Sequence, residues 1–193
     1  MYITIAIIAV LAIYLVSFFN GLKTIQVQIQ ASIQEIGNQL KRQAGLIPNL
    51  VESAKGYLKH EKSIFEDLTS ARKLIDKAVA SNDPKSLDKA QTSINSALKS
   101  LNVVVESNPE IKGSEIVANL MNELRDTADK IMYARRTVID LSADFNVKIS
   151  TIPGLWIAPM MGFSPQKGLE TPTSGEFLSV SSDETKTPSA KFN

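Results

Sequence analysis

The sequence predicts an all-α protein, with an N-terminal transmembrane helix followed by an antiparallel up-and-down four-helix bundle of long helices. Three observations carry that expectation. The chain opens on MYITIAIIAVLAIYLVSFFNGL, residues 1–22, without one charged side chain. Beyond it, apolar residues recur in steps of three and four through four separate runs, the spacing that aligns one face of an α-helix. No stretch competes with these runs by alternating apolar and polar residues, as a half-buried strand would.

Roughly 20 apolar residues match the length a helix needs to cross a hydrocarbon core of about 30 Å. A cleaved signal peptide would carry a basic stretch before the apolar run and a small-residue cleavage site after it. Met1, Tyr2 and Ile3 are uncharged and VSFFNGL is bulky, so residues 1–22 read as a retained anchor. Lys23, Lys41 and Arg42 follow the span and no basic side chain precedes it. The positive-inside tendency then places the N-terminus outside and the helical domain in the cytoplasm.

The first apolar stripe is Leu22, Ile25, Ile29, Ile33, Ile36 and Leu40. Gly45 is expected to end that helix in the left-handed conformation, and Pro48 to open the next one, where its missing N–H costs nothing. The second stripe takes Ile47, Leu50, Ala54, Tyr57, Glu61, Ile64, Leu68, Ala71, Ile75 and Ala78. SNDPKS at 81–86 then supplies capping residues and Pro84 ahead of Leu87, Ala90, Ile94, Ala97, Leu101 and Val104. NPEIKGS interrupts that helix before a fourth stripe running from Val117 through Leu124, Ile131 and Val138 to Phe145. Short connections favour antiparallel neighbours, so residues 23–163 are expected to close as one bundle. Seams of this rhythm are also those of a coiled coil and can continue between copies, so a homo-oligomer fits the same pattern. Residues 164–193 are rich in Ser, Thr and Pro and are expected to form a disordered tail.

Several stretches together resemble one family. They are LKRQAGLIPNLVESAKGYLKHE at 40–61, LTSAR at 68–72, NELRDTADKIMYARR at 122–136, DFN at 144–146 and IPGLWIAPMMGF at 152–163. The first looks like the signature of the LemA family of bacterial membrane proteins, whose usual form is close to LKRRxDLIPNLVxxVKGYxxHE. The resemblance extends over residues 18–163. It departs at Ala128, where the family usually has Glu, and at Val138-Ile139, where it usually has Tyr-Asn. What the resemblance implies is a membrane span, a helical domain and a predicted cytoplasmic location in bacteria. Some relatives are associated with organising membrane compartments, which implies a structural role and no established reaction.

The charge balance, 21 basic against 20 acidic residues, gives no reason to expect nucleic acid as a partner. The absence of cysteine removes disulfides, thiol nucleophiles and thiolate metal sites. His60-Glu61 begins an H-E-x-x-H pattern, but Ile64 stands where the second histidine should be, and the chain has one histidine only. No G-x-S-x-G elbow, Walker loop or G-x-G-x-x-G loop is present. No catalytic, cofactor-binding or metal residue is therefore expected. The chain reads as a non-enzymatic membrane-anchored helical platform for protein assembly or membrane organisation, contacting lipid through residues 1–22 and an unidentified protein. The alternative is an accessory or regulatory subunit of a membrane-associated enzyme or signalling complex.

Within that reading a few side chains stand out. Glu61 occupies an apolar seam position and is expected to set helix register, satisfied by a neighbour, the alternative being a general acid or polar switch; a large loss of stability on its replacement by Leu would instead point to an essential charged partner, Arg72 or Arg135. Lys41 and Arg42 fit either a helix C-terminus, where cations meet the macrodipole, or a docking site. Pro48 marks the distal corner, and Asn49 either bonds within that turn or offers its amide to a partner. Counting helices up and down brings residues 153–163 back to the membrane end, with Trp156, Ile157, Met160, Met161 and Phe163 bunched together. They either sit in the lipid interface as a second contact or cap the open end of the bundle. Arg72, Lys73, Lys77, Lys85, Lys89, Arg135 and Arg136 are expected near that same end, diluted by aspartates.

Overall fold

A computed structural model describes residues 1–55, 62–81 and 83–169. Every regular element among them is helical: α1 (Tyr2–Ala54), α2 (Lys62–Ser81), α3 (Pro84–Ser107), α4 (Pro109–Lys112), α5 (Glu115–Ser150) and α6 (Gly154–Met160). The stripes define one buried core. Leu22 through Leu40 on α1, Ile64 to Ala78 on α2, Leu87 to Leu101 on α3 and Val117 to Ile149 on α5 all contribute to it. The closest pairings are α1 with α5 and α2 with α3, and α1 also packs on α2. Arg42 on α1 faces Glu123 on α5, while Phe18 lies against Gly154 beyond the end of α5, so α1 and α5 run antiparallel.

The corner expected at residues 45–48 is absent. Helix α1 runs through Gly45 and Pro48 to Ala54, and Ile47, Leu50 and Ala54 belong to it, not to a second helix. The reason is a contest of magnitudes. Proline inside a helix costs about 3 kcal/mol relative to alanine, because it removes a hydrogen bond and crowds the preceding turn. Fully burying Ile47 and Leu50 contributes about 1.5–3 kcal/mol each, and the stripe that buries them is unbroken from Leu40 to Ala54. Gly45, Pro48 and Asn49 all lie on the exposed side, so the helix breakers never enter the packed face. Tyr57, His60 and Glu61 lie outside the described residues.

The other boundaries follow local chemistry. Asp83 caps α3, accepting from the Ser86 N–H at 2.9 Å and from its hydroxyl at 2.8 Å, with Pro84 in the first turn. Ser114 caps α5 through the Val117 N–H at 3.5 Å, with Glu115 in the favourable first turn. Between them the interruption at NPEIKGS folds into the single turn α4, whose Ile111 is buried.

Helix lengths are unequal, and that decides the end of the molecule nearest the apolar N-terminal segment. At about 1.5 Å per residue, the 36 residues of α5 rise roughly 54 Å, against roughly 36 Å for the 24 of α3 and 30 Å for the 20 of α2. The α2–α3 hairpin therefore stops short of the end of α5. Residues 163–169 occupy the ledge it leaves: Phe163 and Leu169 are buried, and Gly168 lies beside Ser142 on α5. The chain thus stays on α5 as far as Leu169, past the point at 164 where its composition changes. Residues 170–193 lie outside the described residues.

Candidate functional site

The end of the molecule where α1, α5 and α6 meet brings together the largest share of exposed apolar surface. Residues 2–17 of α1 are exposed throughout, and the stripe of burial begins at Leu22. Just before that transition, Phe18 and Phe19 receive the returning chain. The Phe19 and Phe163 rings lie 5.4 Å apart and tilted, and Phe163 meets Phe145 edge-on at 6.0 Å, so one aromatic cluster ties α1 to α5. Tyr14 stacks on Phe18 at 6.2 Å one turn nearer the N-terminus.

Gly154 makes this approach possible. A Cβ there would collide with the Lys148 carbonyl oxygen and lie 3.1 Å from the Phe18 ring, so only glycine lets α6 fold back on the last turn of α5. Helix α6 then exposes one side and buries the other. Gly154, Ala158 and Phe163 face inward, Ile157 and Met161 are half-buried, and Leu155, Trp156 and Met160 are exposed. Capping of the open end therefore accounts for Phe163 and leaves Trp156 and Met160 uncovered by the described residues.

Below α6 the chain is clasped by one amide. Asn146 Nδ2 donates to the Gln166 carbonyl at 3.0 Å, and the Gln166 N–H donates to Asn146 Oδ1 at 2.9 Å. An open groove of about 660 Å³ follows, bordered by Asp83, Lys85, Asp88, Lys89 and Lys167. The Asp83 carboxyl is held below its ordinary range, first by the Ser86 hydroxyl and then by the Ser86 N–H. Asp126 on α5 is likewise lowered, chiefly by its hydrogen bond from Lys130.

The remaining side chains singled out in the sequence are scattered. Arg135 does not reach the end of the molecule where α6 lies: from Arg135 to Ser150 the helix rises roughly 22 Å, and its guanidinium is held on α3 by the Asp88 carboxylate and by Gln91. Arg72 is exposed on α2. Lys41 and Arg42 lie well inside α1, so no helix end explains them; Arg42 pairs with Glu123 at 3.5 Å across an exposed contact worth about 0–1 kcal/mol. Asn49 sits on α1, not in a turn, at the edge of a shallow groove with Glu52, Ser53 and Ile116. Between α1 and α5 a different polar residue, Gln43, is buried; it donates to the Leu124 carbonyl at 3.3 Å, close to the equally buried Thr127. Its spacing from Leu40 and Ile47, three and four residues, was the signal in the sequence; ending the first helix at Gly45 hid it.

The LemA family model matches residues 32–181, well over half of the 193-residue chain. The chain belongs to the LemA family. Comparison with curated proteins finds no match. Membership in the LemA family and the long apolar N-terminal helix together fit a membrane-anchored protein. The motifs that carried the LemA resemblance now have structural addresses: DFN supplies Asn146 of the clasp, and IPGLWIAPMMGF supplies Gly154, Trp156 and Phe163 of the aromatic end. Among the described residues, no group of three or more His, Asp or Glu is placed to hold a metal.

Proposed function

We propose that this LemA-family chain is a non-enzymatic, membrane-anchored platform on which proteins assemble or a membrane is organised. The observation that carries the reading is the continuity of α1. One helix of 53 residues contains both the exposed apolar segment and the buried stripe, with no linker between them. A helix of that kind transmits orientation, so a domain built on it stands at a fixed attitude to the bilayer instead of swinging on a tether. In this reading α1 beyond the span, α2, α3 and α5 close as one up-and-down bundle with coiled-coil-like seams. The pairings of α1 with α5 and α2 with α3, and the ion pair from α5 to Asp88 on α3, support that closure. The span lies in a bacterial cytoplasmic membrane with the N-terminus outside, in keeping with the basic residues that follow it.

Proximity labelling from the anchored chain tests this function. Recovery of many assembly or membrane-shaping proteins supports the platform; coherent recovery of one enzyme complex makes the chain an accessory subunit instead. A C-terminal topology reporter active only outside the membrane would reverse the orientation.

A further inference from the structure

The aromatic end carries more than a structural cap. From Ile149 to Gln166 the chain holds no charged residue, the longest such stretch after the N-terminal segment, and Lys148 and Lys167 bracket it. An uncharged stretch of that kind is ordinarily buried. Here Ile152, Leu155, Trp156 and Met160 are 69, 51, 63 and 88 % exposed.

Their height relative to the bilayer follows from the anchor. Residues 1–19 rise roughly 28 Å as a helix, against a hydrocarbon core of about 30 Å. The apolar run meets no charged side chain until Lys23, so a bilayer spanned by it reaches Phe18 and Phe19. Those two residues are the ones that approach Gly154 and Phe163, with Phe18 against the start of α6 and the Phe19 ring tilted against Phe163, just beyond its end. The exposed face of α6 is thus continuous with the apolar surface of the span, at the depth where tryptophan is favoured. Flanking lysines have the reach to keep their charges in the headgroups while the apolar face enters the acyl boundary.

We propose that α6 is a second lipid contact, a short apolar foot whose Leu155, Trp156 and Met160 sit at the boundary between headgroups and acyl chains. It deepens the membrane-anchored reading and rests on it. Two points of attachment, one spanning and one interfacial, fix rotation about the α1 axis as well as tilt, which a single helix cannot do.

Trp156 is the only tryptophan of the chain, so its emission reports this site alone. The full-length chain is reconstituted into phosphatidylcholine and phosphatidylglycerol vesicles, with acyl chains brominated either near the headgroup or near the terminal methyl. The expected result is a blue-shifted Trp156 that loses most of its emission to the shallow bromines, less to the deep ones, and resists aqueous iodide. The double variant Leu155→Ser, Met160→Ser should restore iodide access at unchanged helix content; the unmodified chain decides the matter even should that variant fold poorly. Chain that floats with vesicles while Trp156 is quenched by iodide and not by bromolipid overturns the foot and leaves the anchor standing. Shielding from both quenchers overturns it too, pointing to a protein neighbour such as a second copy. Chain that does not float removes the anchor and the foot together.

Discussion

Asn146 and Gln166 grip each other through both ends of a single amide, side-chain nitrogen to backbone carbonyl and backbone nitrogen to side-chain oxygen, at 3.0 and 2.9 Å. The bond is local in space and remote in sequence. It holds residues 163–169 on the ledge above the α2–α3 hairpin, where the unequal helix lengths would otherwise leave one face of α5 bare.

Replacing Asn146 by Ala leaves the Gln166 N–H and carbonyl without that partner. The loss expected is about 1–3 kcal/mol, the range for removing one side of a partly buried hydrogen-bonded pair. Asn146→Asp keeps the acceptor and loses the donor, so it should fall between the two. Chemical denaturation of the three proteins gives the order, and limited proteolysis near residue 166 should be fastest in the Ala variant. Identical denaturation midpoints would show that the clasp contributes nothing.

Two glycines should respond in opposite senses. Gly154→Ala drives a Cβ into the Lys148 carbonyl and the Phe18 ring, and is expected to destabilise by about 1–3 kcal/mol as an overpacked contact. Gly45 lies within α1 with nothing within 4 Å of a Cβ, so Gly45→Ala should stabilise by about 0.5–1 kcal/mol. A left-handed helix end at residue 45 demands the reverse for Gly45, and thermal unfolding distinguishes the two.

Gln43 is wholly buried, and its Oε1 has no hydrogen-bond partner among the described residues. The Leu124 carbonyl it serves also accepts the Thr127 hydroxyl at 2.7 Å, so that carbonyl is not orphaned when Gln43 is removed. Gln43→Leu should therefore be neutral or stabilising by about 1 kcal/mol, since an unpaired acceptor leaves the seam. A marked fall in melting temperature would mean that the amide has an essential partner of its own.

Asp83 supplies the pH dependence. Its folded carboxyl titrates below the ordinary value of 3.8, because the charged form holds the Ser86 hydroxyl and N–H. A depressed carboxyl contributes stability above the unfolded value, and that contribution is lost as pH falls through the folded one. Asp83→Asn keeps a capping oxygen without a charge to titrate. The melting temperature of the parent should therefore fall more steeply than that of the variant once pH drops below 3.8. Parallel acid profiles would show that Ser86 exerts no pull on the carboxyl.

The apolar rhythm determined the helical class and most of the buried positions from Leu22 to Phe145, because a stripe at three- and four-residue steps has one economical way to leave water, and the capping residues of SNDPKS marked the start of α3 at Asp83. Rhythm carries no information on where one helix yields to the next when a breaker falls on the exposed side. Gly45 and Pro48 therefore looked like a corner, and only the packing of Ile47 and Leu50 decided otherwise. The same limit hid the ledge. That residues 163–169 fold down onto α5, and that Arg135 answers Asp88, depends on how far each helix reaches beside its neighbours. Reach is a property of the assembled helices in space, set by their lengths and relative heights, and no spacing within a single stripe encodes it.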